Sequence, residues 1–319
     1  TTVRAENWSG RIEFRSMIDG LVSNSGVRRY RELSGDHLSG IRLTTLSTDS
    51  VLLEASTNAS HIPIAIAARN RVDTHAAHAS TSTAAAETPT AIGHTLTADI
   101  GRGESVTLEK VVTLFTGRDH AISEPADAAT RWLRRTAGFA ELCAAHTAAW
   151  ERLWNRLDID LPNHERAVRI LRLHLLHLVQ TVSPNTADID AGVPARGLHG
   201  EAYRGHMFWD EIFVCPVLNL RLPALTRSLL RYRHRRLPES RFAARAAGHV
   251  GAMFPWQSGS DGREESPLVH LNPRSGRWKP DPSARQHHVG LAIAYNVWQY
   301  YQVTGSIDFL ADYGAEMLV

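Results

Sequence analysis

The feature that most constrains the fold is a change of hydrophobic period near Arg118-Asp119. Before it, apolar residues alternate with polar ones, as in a strand with one face on a core. After it they recur every three or four residues, as along one stripe of a helix. A chain that carries both periods in succession is expected to fold as a β unit followed by an α unit.

The strand-like runs are Arg11-Ile12-Glu13-Phe14-Arg15, Gly40 to Leu46 and Val106 to Leu114, separated by turn residues such as Ser25-Gly26 and Gly101-Arg102-Gly103. Short runs with this punctuation predict an all-β sandwich. Residues 74–96 are dominated by Ala, Thr, Ser and His. With so little apolar bulk to offset the entropy of ordering, that stretch is expected to be an exposed hairpin tip or a mobile loop.

Beyond the change, Ser123 is placed to cap a helix carrying Pro125 in its first turn. A second helix puts Phe139, Leu142, Cys143, His146, Trp150, Leu153, Trp154 and Leu157 on one face. A third follows Asn163, with one stripe of Ile170, Leu171, Leu175, Leu178, Val179 and Val182 and a second of Leu173 and Leu176. Being apolar on most of its circumference, it is expected to be buried. Further helices are predicted near 210–235, 239–247, 285–303 and 307–319. The long Gly-, Pro- and aromatic-rich segments between them are where chemistry is expected.

Composition excludes several function classes. Thirty-five basic groups against 33 acidic ones leave a net charge of +2, too weak a field to draw in nucleic acid or an anionic membrane surface. No apolar run approaches the roughly 18 to 20 residues that span a bilayer. Cys143 and Cys215 stand far apart without zinc-ligand spacing, so a reducing, cytoplasmic location is expected, with no metal and no nucleic-acid or membrane partner. At roughly 150 residues per domain, 319 residues suggest two domains. The chain enters a strand soon after Thr1 and ends in an apolar helical run from Phe309 to Val319, and it is therefore expected to be a piece of a longer protein.

Two clusters carry chemistry. The first runs from Ala195 to Glu211 and places Gly197, Gly200 and Gly205 beside Phe208-Trp209-Asp210-Glu211. The second runs from Phe254 to Glu265 and places Trp256 near Gln257, Asp261, Glu264 and Glu265. Aromatic faces pack on the C–H face of a pyranose, while carboxylates, His and Arg hold its hydroxyls, so sugar binding is one reading. In the other, Phe208 and Trp209 are core, Asp210 caps the next helix, and 254–265 is a solvated acidic loop. His174 and His177 share a helix face but lack an acidic partner for a metal, and adjacent His287 and His288 point apart. The six arginines between Arg227 and Arg241 are expected to form the solvated face of an amphipathic helix rather than an RNA contact.

The blocks Asn24-Ser25-Gly26-Val27-Arg28-Arg29-Tyr30, Leu108-Glu109-Lys110, Trp150 to Trp154, Ala195 to Phe213, Gly251 to Trp256 and Ala294 to Tyr301 together resemble glycoside hydrolase family 65, the trehalose, maltose and kojibiose phosphorylases and their hydrolytic relatives. The resemblance implies the C-terminal portion of a β-sandwich at 1–117, a helical linker at 118–160 and the N-terminal part of an (α/α)6 barrel at 161–319. It implies cleavage of an α-glucosyl disaccharide with inversion. Inorganic phosphate is then the co-substrate, the product is β-glucose 1-phosphate, no cofactor is required, and the full-length protein is a possible homodimer. Hydrolytic relatives use a second carboxylate to activate water, and a non-catalytic sugar-binding remnant is a third possibility.

Carried over by position, Trp209 and Asp210 match residues that grip the non-reducing glucose, and Trp256 with Gln257 matches the region that meets the acceptor. Many members have glutamate where this chain has Gln257. With Arg204, His206, Phe208 and Glu264 these make up the expected substrate-binding set. The family's general acid lies in a Gly-Pro-Asp-Glu-Tyr type motif that does not occur before Val319, so no catalytic residue is expected within this chain, which alone should be inactive.

Overall fold

The computed structural model describes residues 1–27, 30, 33–74, 81–187, 189–198 and 200–319; Arg28, Arg29 and His199 of the motifs above, and residues 75–80, lie outside them. The chain divides into two compact units. One comprises Thr1–Ser23 and Asp36–Glu151, the other Asn24–Gly35 and Arg152–Val319.

The first unit holds β1 (Thr2–Arg4), β2 (Gly10–Asp19), β3 (Leu38–Thr45), β4 (Ser50–Thr57), β5 (Pro63–Thr74), β6 (Thr81–Glu87), β7 (Ala91–Ile100) and β8 (Ser105–Thr116). They form a five-stranded sheet, β1-β8-β5-β4-β3, and a three-stranded sheet, β2-β7-β6. Every described pairing is antiparallel, the longest running from Ile64↔Thr116 to Thr74↔Val106. Ile18 and Ile92 of the smaller sheet pack on Val51, Leu53, Ala55 and Ala68 of the larger one. Alternating inward side chains from both sheets thus make the expected sandwich.

Two strands replace the expected loop within 74–96. β7 pairs with β2 along its whole length, Gly10↔Ile100 through Asp19↔Ala91, and buries Ile92, His94, Leu96, Ala98 and Ile100. A composition reading treats Gly93, His94 and Thr95 as loop residues, whereas position alternation sends His94 inward with the aliphatics. β6 is almost wholly exposed and owes its order to backbone pairing with β7.

His94 lies within a buried polar chain. The Ser16 hydroxyl donates to Asn70 Oδ1 at 2.7 Å, and Asn70 Nδ2 lies 3.0 Å from His94 Nδ1. With its oxygen already accepting, the Asn70 amide donates to Nδ1, which puts the imidazole proton on Nε2, an enclosed atom without a hydrogen-bond partner. Burial lowers the His94 pKa from its ordinary value, opposed by the charge of Asp49.

Helix α1 (Pro125–Arg135) lies on the outer face of the larger sheet, with Ala129 and Leu133 against Leu52, Ala65, Ala67 and Val111. Its N-cap position is Glu124 rather than the expected Ser123. In α2 (Phe139–Leu157) only Leu157 of the expected apolar face is buried.

The second unit contains α3 (Glu165–Thr181), α4 (Glu211–Arg221), α5 (Pro223–Arg235), α6 (Leu237–Ala246), the hairpin β9 (Val269–Asn272) and β10 (Arg277–Pro280), and α7 (Val289–Thr304). α8 (Ile307–Phe309), a π turn (Leu310–Gly314) and α9 (Ala315–Leu318) complete it. Leu230, Leu237, Phe254, Val289, Ile293, Val297, Tyr300, Phe309 and Met317 form its core.

Two expectations change here. The single helix predicted over 210–235 is two, because Pro223 lacks an N–H and starts a new helix at its first turn. The all-round burial expected of α3 is limited to one face. Val168, Leu175 and Val179 are buried, while Ile170 and Leu173 are about half exposed, at 47% and 51%.

Candidate functional site

The two motif clusters are joined by backbone pairing. Met207 N–H donates to the Ser258 carbonyl at 2.9 Å, and Ser258 N–H returns a bond to Met207 at 3.0 Å. Ala195 N–H donates to the His206 carbonyl at 3.1 Å, so three loop segments run side by side through the bridges Pro194↔Met207 and Met207↔Ser258. Gly192 leaves room for the Met207 side chain, which a Cβ there would displace.

The side chains of Phe208 and Trp256, one from each cluster, meet edge to face at 5.4 Å and 81°. Trp209 meets His288 at 5.0 Å and 88°, and Trp256 meets the same imidazole at 5.1 Å and 54°. His288, just ahead of α7, therefore stands between the two indoles. Considered only as half of a possible metal-binding pair, it is absent from the expected set, and only long-range packing shows its position.

Asp210 occupies the N-cap position of α4, as the core reading supposed, but its carboxylate makes no capping bond. It is half-buried, and burial raises its pKa, opposed by its own backbone N–H. A half-buried acceptor beside Trp209 suits a group that hydrogen-bonds a ligand hydroxyl.

Phe208 is 5% exposed and Gln257 is 6% exposed. Together with Trp256, Arg204, Tyr30 and Tyr203 they line a cavity of about 90 Å³ that β9, β10 and the following turn close through His270, Trp278 and Asp281. Arg204 donates to the Glu265 carbonyl at 3.2 Å and lies 5.9 Å from the Tyr30 ring centre. His206 sits by the Tyr203 carbonyl, its Nδ1 3.2 Å away. Tyr203 and Arg204 adopt left-handed backbone at φ 61° and 54°, an uncommon conformation for non-glycine residues that is concentrated at functional sites.

Glu264 stands apart from the other expected residues. It is exposed, and its oxygens accept from the backbone N–H groups of Trp256 at 2.8 Å, Gln257 at 3.3 Å and Ser266 at 2.9 Å. Its carboxylate folds the loop that carries Trp256.

The arginine run is not a solvated face. Arg233 is 2% exposed and Arg236 is 7% exposed. Arg233 donates to Glu211 Oε2 at 2.9 Å and to the Phe208 carbonyl at 2.6 Å. Arg236 grips both oxygens of Asp190, at 2.7 and 3.0 Å, and also donates to the Ser260 carbonyl. Arg227 and Arg231 lie over the Tyr313 ring. Carboxylates and carbonyls offset the desolvation of the buried Arg233 and Arg236 guanidinium groups, which tie the Phe208 and Ser260 backbone to α5 and its C-terminal end. Charge count alone carries no signal of that partnering.

Residues 1–153 match the family model described as glycosyl hydrolase family 65, N-terminal domain, and residues 172–319 match the glycosyl hydrolase family 65 central catalytic domain. The chain belongs to glycosyl hydrolase family 65. An uncharacterized glycosyl hydrolase of Mycobacterium tuberculosis is 56% identical over 319 residues, covering all of this chain and 24% of that protein. Trehalose 6-phosphate phosphorylase of Lactococcus lactis is 34% identical over 315 residues, covering 98% of this chain and 39% of the relative. The family-65 chain thus spans from about a quarter to about two fifths of the length of these relatives. A solved structure described as a putative kojibiose phosphorylase from human microbiome superposes with a TM-score of 0.72 at 17% identity, over 96% of this chain and 37% of that one, a likeness of fold.

Among the described residues no group of three or more His, Cys, Asp or Glu side chains could hold a metal ion, and no helix is long and apolar enough to cross a membrane.

Proposed function

We propose that this chain supplies sugar-binding elements of an inverting α-glucosyl disaccharide phosphorylase. The observation that carries the proposal is the aromatic wall of Trp209, His288 and Trp256 beside the half-buried, uncapped carboxylate of Asp210. In this reading the non-reducing glucose packs on the wall, and Asp210 accepts hydrogen bonds from its hydroxyls. The acceptor sugar faces Trp256, Gln257 and Arg204. The amide of Gln257 offers a neutral acceptor and a donor where a carboxylate would offer charge, which shifts acceptor preference. Phosphorylase names among the relatives support a trehalose 6-phosphate-type or kojibiose-type substrate.

Inversion follows from attack by inorganic phosphate on the face of the anomeric carbon opposite the leaving oxygen, while a carboxylic acid protonates that oxygen. No residue of this chain takes the acid's role. Asp210 binds, Glu211 is committed to Arg233, and the chain on its own is expected to be inactive.

The test uses the full-length protein with inorganic phosphate and trehalose, trehalose 6-phosphate, maltose or kojibiose in turn. Release of β-glucose 1-phosphate from one of them is the expected result. Its absence from every disaccharide overturns the proposal, and phosphate-independent release of β-glucose assigns the protein to the hydrolytic branch instead.

A further inference from the structure

The outer face of the larger sheet carries a second polar site that shares no residue with the candidate sugar site. β5 sends alternate residues to this face. Ala65 and Ala67 pack beneath α1, and the next two positions in the series are Arg69 and Arg71. Arg69 is 8% exposed. Its two Nη atoms donate to the carbonyls of Leu133 and Thr136, both at 3.0 Å, and thereby satisfy the C-terminal end of α1. Its Nε–H is enclosed and has no acceptor.

Beside it is a cavity of about 240 Å³, lined by Arg69, Arg71 and Arg134 together with Ser47, Asp49, Ser50 and Thr130. Asp49 is the one carboxylate in the lining and is already engaged. Its oxygens accept from the hydroxyls of Ser47 at 2.8 Å and Ser50 at 2.7 Å and from Arg71 Nε at 3.1 Å. Arg134 is exposed and has no carboxylate partner among the described residues. Three arginines thus share the lining with one committed carboxylate and several hydroxyls, an excess of positive charge. A tetrahedral oxyanion suits such a lining, because its several oxygens can accept from more than one guanidinium at once.

We propose that this cavity binds a phosphate group, as inorganic phosphate or as the phosphoryl end of a small sugar phosphate. The site is independent of the sugar-binding proposal and would let the concentration of a phosphate species act on the sandwich unit.

Isothermal titration of the 319-residue chain with sodium phosphate, compared with sodium chloride at matched ionic strength, tests it. One phosphate per chain is expected, weakened tenfold or more by R134Q and by R71Q, retained more fully by R71K, and unchanged by D210N. Arg134 has no ion-pair partner among the described residues to lose, so R134Q should melt at the parent temperature without ligand and report binding alone. Glucose 6-phosphate binding more tightly than phosphate identifies a sugar phosphate as the occupant, and equal or weaker binding identifies inorganic phosphate. Phosphate that binds no better than chloride, binding that survives both R134Q and R71Q, or binding lost in D210N overturns the proposal.

Discussion

Arg233 Nε donates to Glu211 Oε2 at 2.9 Å, with both side chains almost wholly removed from water. The same guanidinium holds the Phe208 carbonyl, so one buried cation sets the backbone immediately before Trp209. R233Q leaves Glu211 as an uncompensated buried charge and is expected to destabilise the chain by about 3–5 kcal/mol. Replacing both partners together, E211Q with R233Q, should cost less than that single change. Urea denaturation of the parent, the two single variants and the double variant measures both. Simple additivity would show that the pair is not coupled.

His94 predicts a pH dependence. Its pKa is lowered in the folded state by burial, so below the ordinary histidine value of about 6.5 the unfolded chain binds a proton that the folded chain refuses. Stability should therefore fall as pH drops from about 6.5 toward the lowered pKa, and then level off. H94Q should lose that slope between about pH 7 and pH 5, as thermal melts at a series of pH values would reveal. A parent with a flat profile there would contradict the buried neutral imidazole.

At Gly262 the backbone has φ +84°, and a Cβ would overlap the Arg236 side chain. Gly262→Ala should destabilise by about 1–3 kcal/mol, from the strained backbone and the displaced guanidinium. Calorimetric melting tests this, with Gly276→Ala as the comparison. Gly276 has φ +65° but nothing within 4 Å of its Cβ position, and it should lose only the backbone part.

If the proposed function holds, D210N in the full-length protein should lower kcat/KM by about ten- to a hundredfold, the value of a hydrogen bond to a charged group at about 1.5–3 kcal/mol. H288A should also weaken the substrate, because it removes the spacer between Trp209 and Trp256. Steady-state kinetics with the preferred disaccharide provide the readout. An unaltered D210N enzyme would remove Asp210 from the site.

Periodicity located the sandwich and most helices because burial on one face leaves its mark residue by residue. Clustered aromatics and carboxylates drew attention to the candidate site, since Trp209, Asp210 and Trp256 lie in short recognisable runs that the fold brings together. What stayed hidden depends on partners distant in sequence. β7 looks like a polar loop until β2 pairs along it and the larger sheet packs on its inner face, and Arg233 looks solvated until Glu211 and Phe208 fold over it. His288 has no local signal at all, for its place is defined by two indoles from separate loops. Glu264 carries a role that its place beside a tryptophan does not reveal: its oxygens accept from the amides of its own loop.

The segment Asn24–Gly35 departs from the strands on either side of it and belongs to the second unit. There Gly26 N–H donates to Glu201 at 2.7 Å, and the Tyr30 hydroxyl accepts from Tyr203 N–H at 3.2 Å. The second unit is thus encoded in two separated stretches. A chimera joined at the apparent boundary between the two family domains would graft a foreign Tyr30 segment onto the Glu201–Gly205 turn. Exchange of parts between relatives must therefore move both stretches together, and the chain is less modular than its linear order suggests.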